Sequence, residues 1–200
     1  MADVYVVDDH AEVLQQVALV LEPAGHDVWR FLDPGEFVRH VRPREPGALV
    51  LDLRLPGMSG LEVQSALRAS GIKTPVVFLC DHSGPAEIMA AMKADAVDVL
   101  LKPFAADDLR AAVEAALLRD RQRIKNDAAI RAIRAKRELL SGREHDAFQL
   151  LVRGYSNKEM AAELDVKPDT AKKYRAAILA KFEVSTLAQL LAFLNAPAGQ

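Results

Sequence analysis

Residues able to do chemistry stand at the ends of short apolar runs along the first half of this chain. Val4-Tyr5-Val6-Val7 ends in Asp8-Asp9, and Ala48-Leu49-Val50-Leu51 ends in Asp52. Pro75-Val76-Val77-Phe78-Leu79 ends in Cys80-Asp81, and Val97-Asp98-Val99-Leu100-Leu101 ends in Lys102. Short apolar runs bounded by turn residues read as buried strands of a parallel sheet. The charged residues then sit at strand C-terminal tips, the edge where open α/β sheets bind ligands. The carboxylates of Asp8, Asp9 and Asp52 beside an ammonium can hold a small hard cation, and Mg²⁺ favours one or two carboxylates, waters and a phosphate oxygen. Lys102 would neutralise an incoming phosphoryl group. Asp52 is a candidate nucleophile that accepts phosphate as an acyl phosphate. Taken alone, Asp52 reads equally well as a loop cap.

The elements between these tips alternate. Helical spacing over residues 10–24 closes at Pro23 and Gly25, and a second strand covers 27–31. Asp33-Pro34 opens a short helix, with Asp as N-cap and Pro at the first helical position. Residues 60–70 and 84–94 read as further helices, and another starts near Ala105. Strict βα alternation with short links implies a five-stranded, doubly wound parallel sheet covered by helices on both faces.

With these residues in place, the chain resembles the receiver domain of two-component response regulators over residues 3 to about 118. The resemblance rests on Asp8-Asp9, on Asp52 followed by Pro56-Gly57-Met58-Ser59-Gly60, and on Lys102-Pro103-Phe104. It implies a flavodoxin-like fold in which Asp9 and Asp52 contact Mg²⁺ directly, Asp8 acts through water, and the backbone carbonyl of Arg54 is another ligand. It also implies that Lys102 binds the phosphoryl group and that the Lys102–Pro103 bond is cis. The chain departs from the family where Cys80 replaces the usual Ser or Thr, where Val99 replaces Phe or Tyr, and where Asp81 replaces a small residue. A thiol is a weak donor that behaves as a small hydrophobe. These departures read either as tolerated drift or as a switch that is partly disabled. Cys80 also invites a redox reading, which requires a lowered pKa and exposure; packing is the competing one.

The charge is unevenly spread. Residues 1–118 carry 10 Lys/Arg against 18 Asp/Glu, residues 119–137 carry 8 against 2, and residues 138–200 carry 8 against 8. From Phe104 through Ser141 there is neither Gly nor Pro, so one helix is expected, with Leu109, Val113 and Leu117 facing the sheet. Asp120 and Asp127 fall where a zipper would want apolar groups. The basic run 119–137 reads as a solvated helical linker or as a track for DNA phosphates.

Two capping boxes follow, Ser141-Gly142-Arg143-Glu144 and Ser156-Asn157-Lys158-Glu159. Pro168 then opens a helix with Ala171, Tyr174, Ile178 and Phe182 as its inward stripe. A last helix over about 186–194 places Leu187, Leu190, Leu191 and Leu194 on one face and leaves Phe193 off it. Two short helices joined by a turn, the second exposing cations, have the form of a helix-turn-helix or of a small helical bundle with an ordinary charged face. Arg143-Glu144, residues 154–161 and Thr170-Ala171-Lys172 resemble the LuxR-type DNA-binding domain over 138 to about 194. The resemblance implies that Lys172, Lys173 and Ala176 face base edges, while Arg175 and Lys181 contact phosphates.

The expected organisation is a receiver over 1–118, a basic helical linker over 119–137 and an all-α helix-turn-helix domain over 138–200. Together the two resemblances point to the NarL/FixJ class. They imply a non-enzymatic, cytoplasmic transcription regulator phosphorylated on Asp52 by a sensor histidine kinase. They also imply a homodimer on promoter DNA with paired half-sites. The N-terminus lacks the zones of a signal peptide, no apolar run is long enough to span a membrane, and a single Cys permits no intramolecular disulfide. The rivals are a DNA-binding regulator whose receiver works largely without phosphate, an Asp-nucleophile phosphatase, and an adaptor whose helical domain binds protein. The phosphatase would need a second Asp where Arg54 stands.

Overall fold

In a computed structural model describing residues 2–81 and 84–195, the chain divides after Ile124 into two units. Met1, His82, Ser83 and residues 196–200 lie outside that description, including the outer limits of the expected domains.

The first unit runs β1 (Asp3–Val7), α1 (Ala11–Leu21), β2 (Asp27–Phe31), α2 (Pro34–His40), β3 (Gly47–Asp52), α3 (Gly60–Ala69), β4 (Val76–Cys80), α4 (Pro85–Lys93), β5 (Asp98–Leu101) and α5 (Ala106–Glu138), whose last turns belong to the second unit. All pairings are parallel, in the order β2-β1-β3-β4-β5, so the chain reverses its direction of winding between β1 and β3. Alternate residues of each central strand feed separate cores. Val4, Val6, Val50, Val77 and Leu79 pack with α1 and α5, while Tyr5, Val7, Leu51, Phe78 and Cys80 pack with residues of α2, α3 and α4. This period of two explains why the buried strands read as unbroken apolar runs.

Helix α3 starts from a reciprocal capping box, with Ser59 accepting from the Glu62 N–H and Glu62 accepting from the Ser59 N–H. The Ser59-x-x-Glu62 spacing is the sequence signature of this cap. Gly57 adopts φ +76°, which favours glycine. Gly60 is required for another reason: a Cβ there would run into the Asp52 carbonyl oxygen, the Leu53 Cα and the Phe78 ring.

Helix α5 buries Leu109, Val113 and Leu117 as expected, and also Asp120. Asp120 Oδ2 accepts the Gly47 N–H at 3.0 Å, and Oδ1 accepts from Arg123 Nε at 2.9 Å. Arg123 also pairs with Glu45. The compact unit runs to Ile124, and the helix turn carrying Asp120 and Arg123 is tied to the start of β3. The position that spoils a zipper pattern is a buried anchor.

The second unit holds α6 (Gly142–Val152), α7 (Asn157–Glu163), α8 (Pro168–Lys181) and α9 (Leu187–Asn195). Both expected capping boxes form, at Ser141 with Glu144 and at Ser156 with Glu159. The core stacks Phe148 on Phe182 with centroids 5.3 Å apart, and Phe193 meets Phe182 edge-on at 6.0 Å. Phe193 is therefore part of this core, contrary to the helical-wheel reading, because its ring reaches Phe182 from the margin of the stripe. No described helix is long and apolar enough to cross a membrane.

Asp120→Ala should destabilise the first unit by about 2–3 kcal/mol, since it strands the Gly47 N–H and removes a charged partner from Arg123. Urea unfolding measures this, and a change within ±0.5 kcal/mol would show that Asp120 does not anchor the helix.

Candidate functional site

The in-register pairing Val7↔Leu51 brings the ends of β1 and β3 level, so Asp8 and Asp52 follow side by side. Both are buried. Lys102, next after β5, reaches across the end of β4, and its Nζ lies 2.6 Å from Asp8 Oδ2 and 2.8 Å from Asp52 Oδ1. The Lys102–Pro103 peptide is cis, as is Glu45–Pro46. The other oxygens are also held: Asp52 Oδ2 accepts the Arg54 N–H at 2.9 Å, and Asp8 Oδ1 accepts the His10 N–H at 2.9 Å.

Burial pushes the Asp52 carboxyl above its usual range, opposed by the hydrogen bond and charge of Lys102. For Lys102, burial acts to lower the pKa, but hydrogen bonds to Asp52 and Asp8 outweigh it and the net shift is upward. Lys102 is thus a fixed cation. The His10 imidazole is raised mainly by the charge of Asp9, whose Oδ1 lies 3.0 Å from His10 Nδ1.

The carboxylate and imidazole atoms that converge within 4.8 Å of one another belong to Asp8, Asp9 and His10. Asp52 lies outside that group and is joined to it through Lys102, which it shares with Asp8. The residues nevertheless fit a hard divalent cation: Asp9 Oδ1 is buried and makes no hydrogen bond of good geometry, and the donor set is rich in carboxylate.

One contact had no signal in the sequence. The Arg54 Nη2 bonds both oxygens of Glu87 on α4, at 2.9 and 3.1 Å, linking the loop after the nucleophile candidate to the helix after β4.

In the second unit α7 and α8 are joined by a short turn in which Asp165 has φ +49°. On α8, Ala171 and Ile178 are buried, Lys172, Lys173 and Ala176 are exposed, and Arg175 is half-buried.

Comparison with known proteins agrees with both halves. Residues 4–114 match the response regulator receiver domain, and residues 138–194 match the bacterial regulatory proteins of the luxR family. The response regulator protein TodT of Pseudomonas putida is 35% identical over 188 residues, covering 94% of this chain and 83% of that protein. The transcriptional regulatory protein FixJ of Bradyrhizobium diazoefficiens is 33% identical, covering 94% and 92%. The solved structure of the response regulator StyR superposes with a TM-score of 0.84 at 36% identity, covering 98% of each chain.

The chain is a response regulator of the NarL/FixJ class. In this response regulator the departures from the usual receiver pattern are placed as follows. Cys80 is buried, with its Sγ 3.7 Å from the Leu100 carbonyl oxygen, which removes the exposure that a redox role requires. Val99 is half-buried against the core on the α3–α4 side, and Asp81 is exposed.

Lys181 pairs inside the second unit. Its ammonium is held within the second unit, 2.6 Å from Glu144 Oε2 and 2.9 Å from the Leu139 carbonyl. It braces the end of α8 to the capping box of α6. Close by, Lys136 pairs with Glu183 at 2.6 Å and Arg137 lies over the Phe148 ring.

The Lys181 hydrogen bond, with the Ser141 N–H, lowers the Glu144 carboxyl from the ordinary 4.5 to about 2. A depressed carboxylate pKa stabilises the fold above its unfolded value and loses that contribution as pH falls through its folded value. Lys181→Met should therefore cost about 1 kcal/mol at pH 7. The gap from the unchanged chain should close between pH 4.5 and about 2. Native-state hydrogen exchange of α6 and α8 amides reads both quantities; a gap that does not vary with pH would exclude the ion pair as its cause.

Proposed function

We propose that this response regulator is a cytoplasmic transcription factor switched by phosphoryl transfer from a sensor histidine kinase to Asp52. The observation that carries this reading is the Lys102 ammonium bridging Asp8 and Asp52 at the switch point of the sheet. An Asp52 carboxylate oxygen attacks phosphorus; the phosphohistidine N–P bond breaks, an acyl-phosphate O–P bond forms, and the imidazole leaves with its electron pair. Lys102 orients Asp52 before transfer and neutralises the phosphoryl oxygens afterwards. Asp8 and Asp9, with Asp52 and the Arg54 carbonyl, would hold Mg²⁺, which when bound supplies positive charge to the transferring group. The chain acts on gene expression and not as an enzyme with a turnover of its own.

Phosphorylation then shifts a pre-existing balance toward a homodimer whose two α8 helices read promoter half-sites about one helical turn apart. Lys172, Lys173 and Ala176 face the bases and Arg175 the backbone. Exposure of both lysines on the helix after the turn supports this assignment.

A second reading has a specific observation behind it. Cys80 is turned toward the Leu100 carbonyl and Val99 is too small for an aromatic lever, so phosphate gains little differential affinity for the active form. Phospho-dependence in the natural sequence is accordingly weak.

Two measurements test these assignments. Lys172→Ala or Lys173→Ala should weaken specific promoter binding by about 1–3 kcal/mol while Lys181→Met leaves the salt slope unchanged. Intact promoter affinity in both lysine variants would remove α8 as the reading helix. Acetyl phosphate with Mg²⁺ should add one phosphoryl group to the natural chain and none to Asp52→Asn, read by intact mass, and should raise promoter affinity only modestly. Cys80→Thr with Val99→Tyr should enlarge that rise; an equally large response in the natural protein would show that its departures are harmless.

A further inference from the structure

At the opposite, N-terminal edge of the sheet the first unit has a cavity of about 420 Å³. Arg68 enters it from the end of α3, Lys73 and Thr74 from the approach to β4, and Arg119 and Arg123 from successive turns of α5. Asp95, in the turn before β5, is the carboxylate among the lining residues. Nothing in the proposed phosphoryl transfer uses these groups.

The charges there do not cancel. Asp95 serves two guanidinium groups at once, with Oδ2 3.4 Å from Arg68 Nη2 and Oδ1 on Arg119. Arg119 holds the Asp95 carboxyl below its usual range, so it stays ionised. Arg123 is neutralised from behind by Asp120 and Glu45. Lys73 is exposed and makes no ion pair among the described residues. Arg68, Lys73, Arg119 and Arg123 stand against Asp95, Asp120 and Glu45, which leaves a surplus of one positive charge.

We infer that this cavity binds the phosphate group of a small phosphorylated metabolite. A net positive cavity whose Lys73 has no counter-charge favours an anion such as phosphate. Arginine forks suit phosphate oxygens, and each guanidinium has more N–H donors than Asp95 engages. The Thr74 hydroxyl adds a neutral donor, and Pro75 an apolar wall. The volume lies in the range of small-molecule pockets, which favours a compact ligand over a nucleic-acid backbone tracked along a surface. The charge that selects the ligand comes from α3, α5 and the approach to β4, so occupancy cross-links these three segments.

The test uses the full chain in EDTA at physiological ionic strength. Amide NMR and calorimetry follow titration with inorganic phosphate, glucose 6-phosphate and AMP, with sulfate as the ionic-strength control. Saturable shifts are expected at Lys73, Thr74, Asp95 and Arg119. Lys73→Gln, which breaks no ion pair and should leave the fold intact, should raise the Kd about tenfold, the scale of one charge-assisted hydrogen bond. Equal affinity for all three probes assigns recognition to the phosphate alone, and tighter binding of one ester identifies its class. Shifts centred on Asp9 and Lys102, no saturable shift from any probe, or an unchanged Kd in Lys73→Gln would each overturn the assignment.

Discussion

The Lys102 ammonium lies 2.6 Å from Asp8 and 2.8 Å from Asp52, and both carboxylates are buried. Two buried like charges at adjacent strand ends cannot both remain ionised without a cation between them. That requirement constrains the rest of the first unit. β1 and β3 must end level, which the Val7↔Leu51 register achieves. β5 must run one strand beyond β4, so that its following lysine spans the end of β4, where the Lys102 N–H bonds the Cys80 carbonyl at 2.7 Å. Helix α3 must begin against the Asp52 backbone, which only a residue without a Cβ permits at Gly60. Winding direction, register and one glycine thus converge on a single ion triad.

Much of this was legible because it is written in local patterns. A strand buried on both faces gives a run such as Leu49-Val50-Leu51, and a helix start gives Ser, Thr or Asp with Glu three residues on. Asp8, Asp52 and Lys102 could be brought together from sequence because parallel alternation places every strand tip at one edge. What escaped was long-range or depended on which partner a charge finds. Nothing local says that Asp120 accepts a bond from Gly47, that Arg54 grips Glu87, or that Lys181 turns back to Glu144. Lys181 and Lys173 are chemically identical on the helix, and only the packing of α6 against α8 separates a brace from a surface cation.

The same lesson applies to the basic run. Its eight cations against two carboxylates suggested either a solvated linker or a phosphate track. Packing supplies counter-charges from far away in sequence. Arg119 finds Asp95, Arg123 finds Glu45, and Lys136 finds Glu183. Arg137 instead covers an aromatic face. Segment charge therefore overstates what remains for DNA, while the exposed Lys172 and Lys173 lie in a segment whose charges balance to zero.

Charge arithmetic also explains why the pocket has a donor to spare. Asp8, Asp9, Asp52 and Lys102 carry a net charge of −2 when all are ionised. Under the proposed transfer, Asp52 exchanges its carboxylate charge for a phosphoryl dianion, and the same four residues would reach −3. A lysine already shared by two carboxylates cannot offset the added charge at such short range. A divalent cation brings the balance to −1, and Asp9 Oδ1, buried without a hydrogen bond of good geometry, is the oxygen left to hold it. Asp81, exposed beside Cys80, works against that balance. Under the proposed transfer, the accumulation of negative charge, more than the identity of the nucleophile, would set how readily this pocket accepts phosphate.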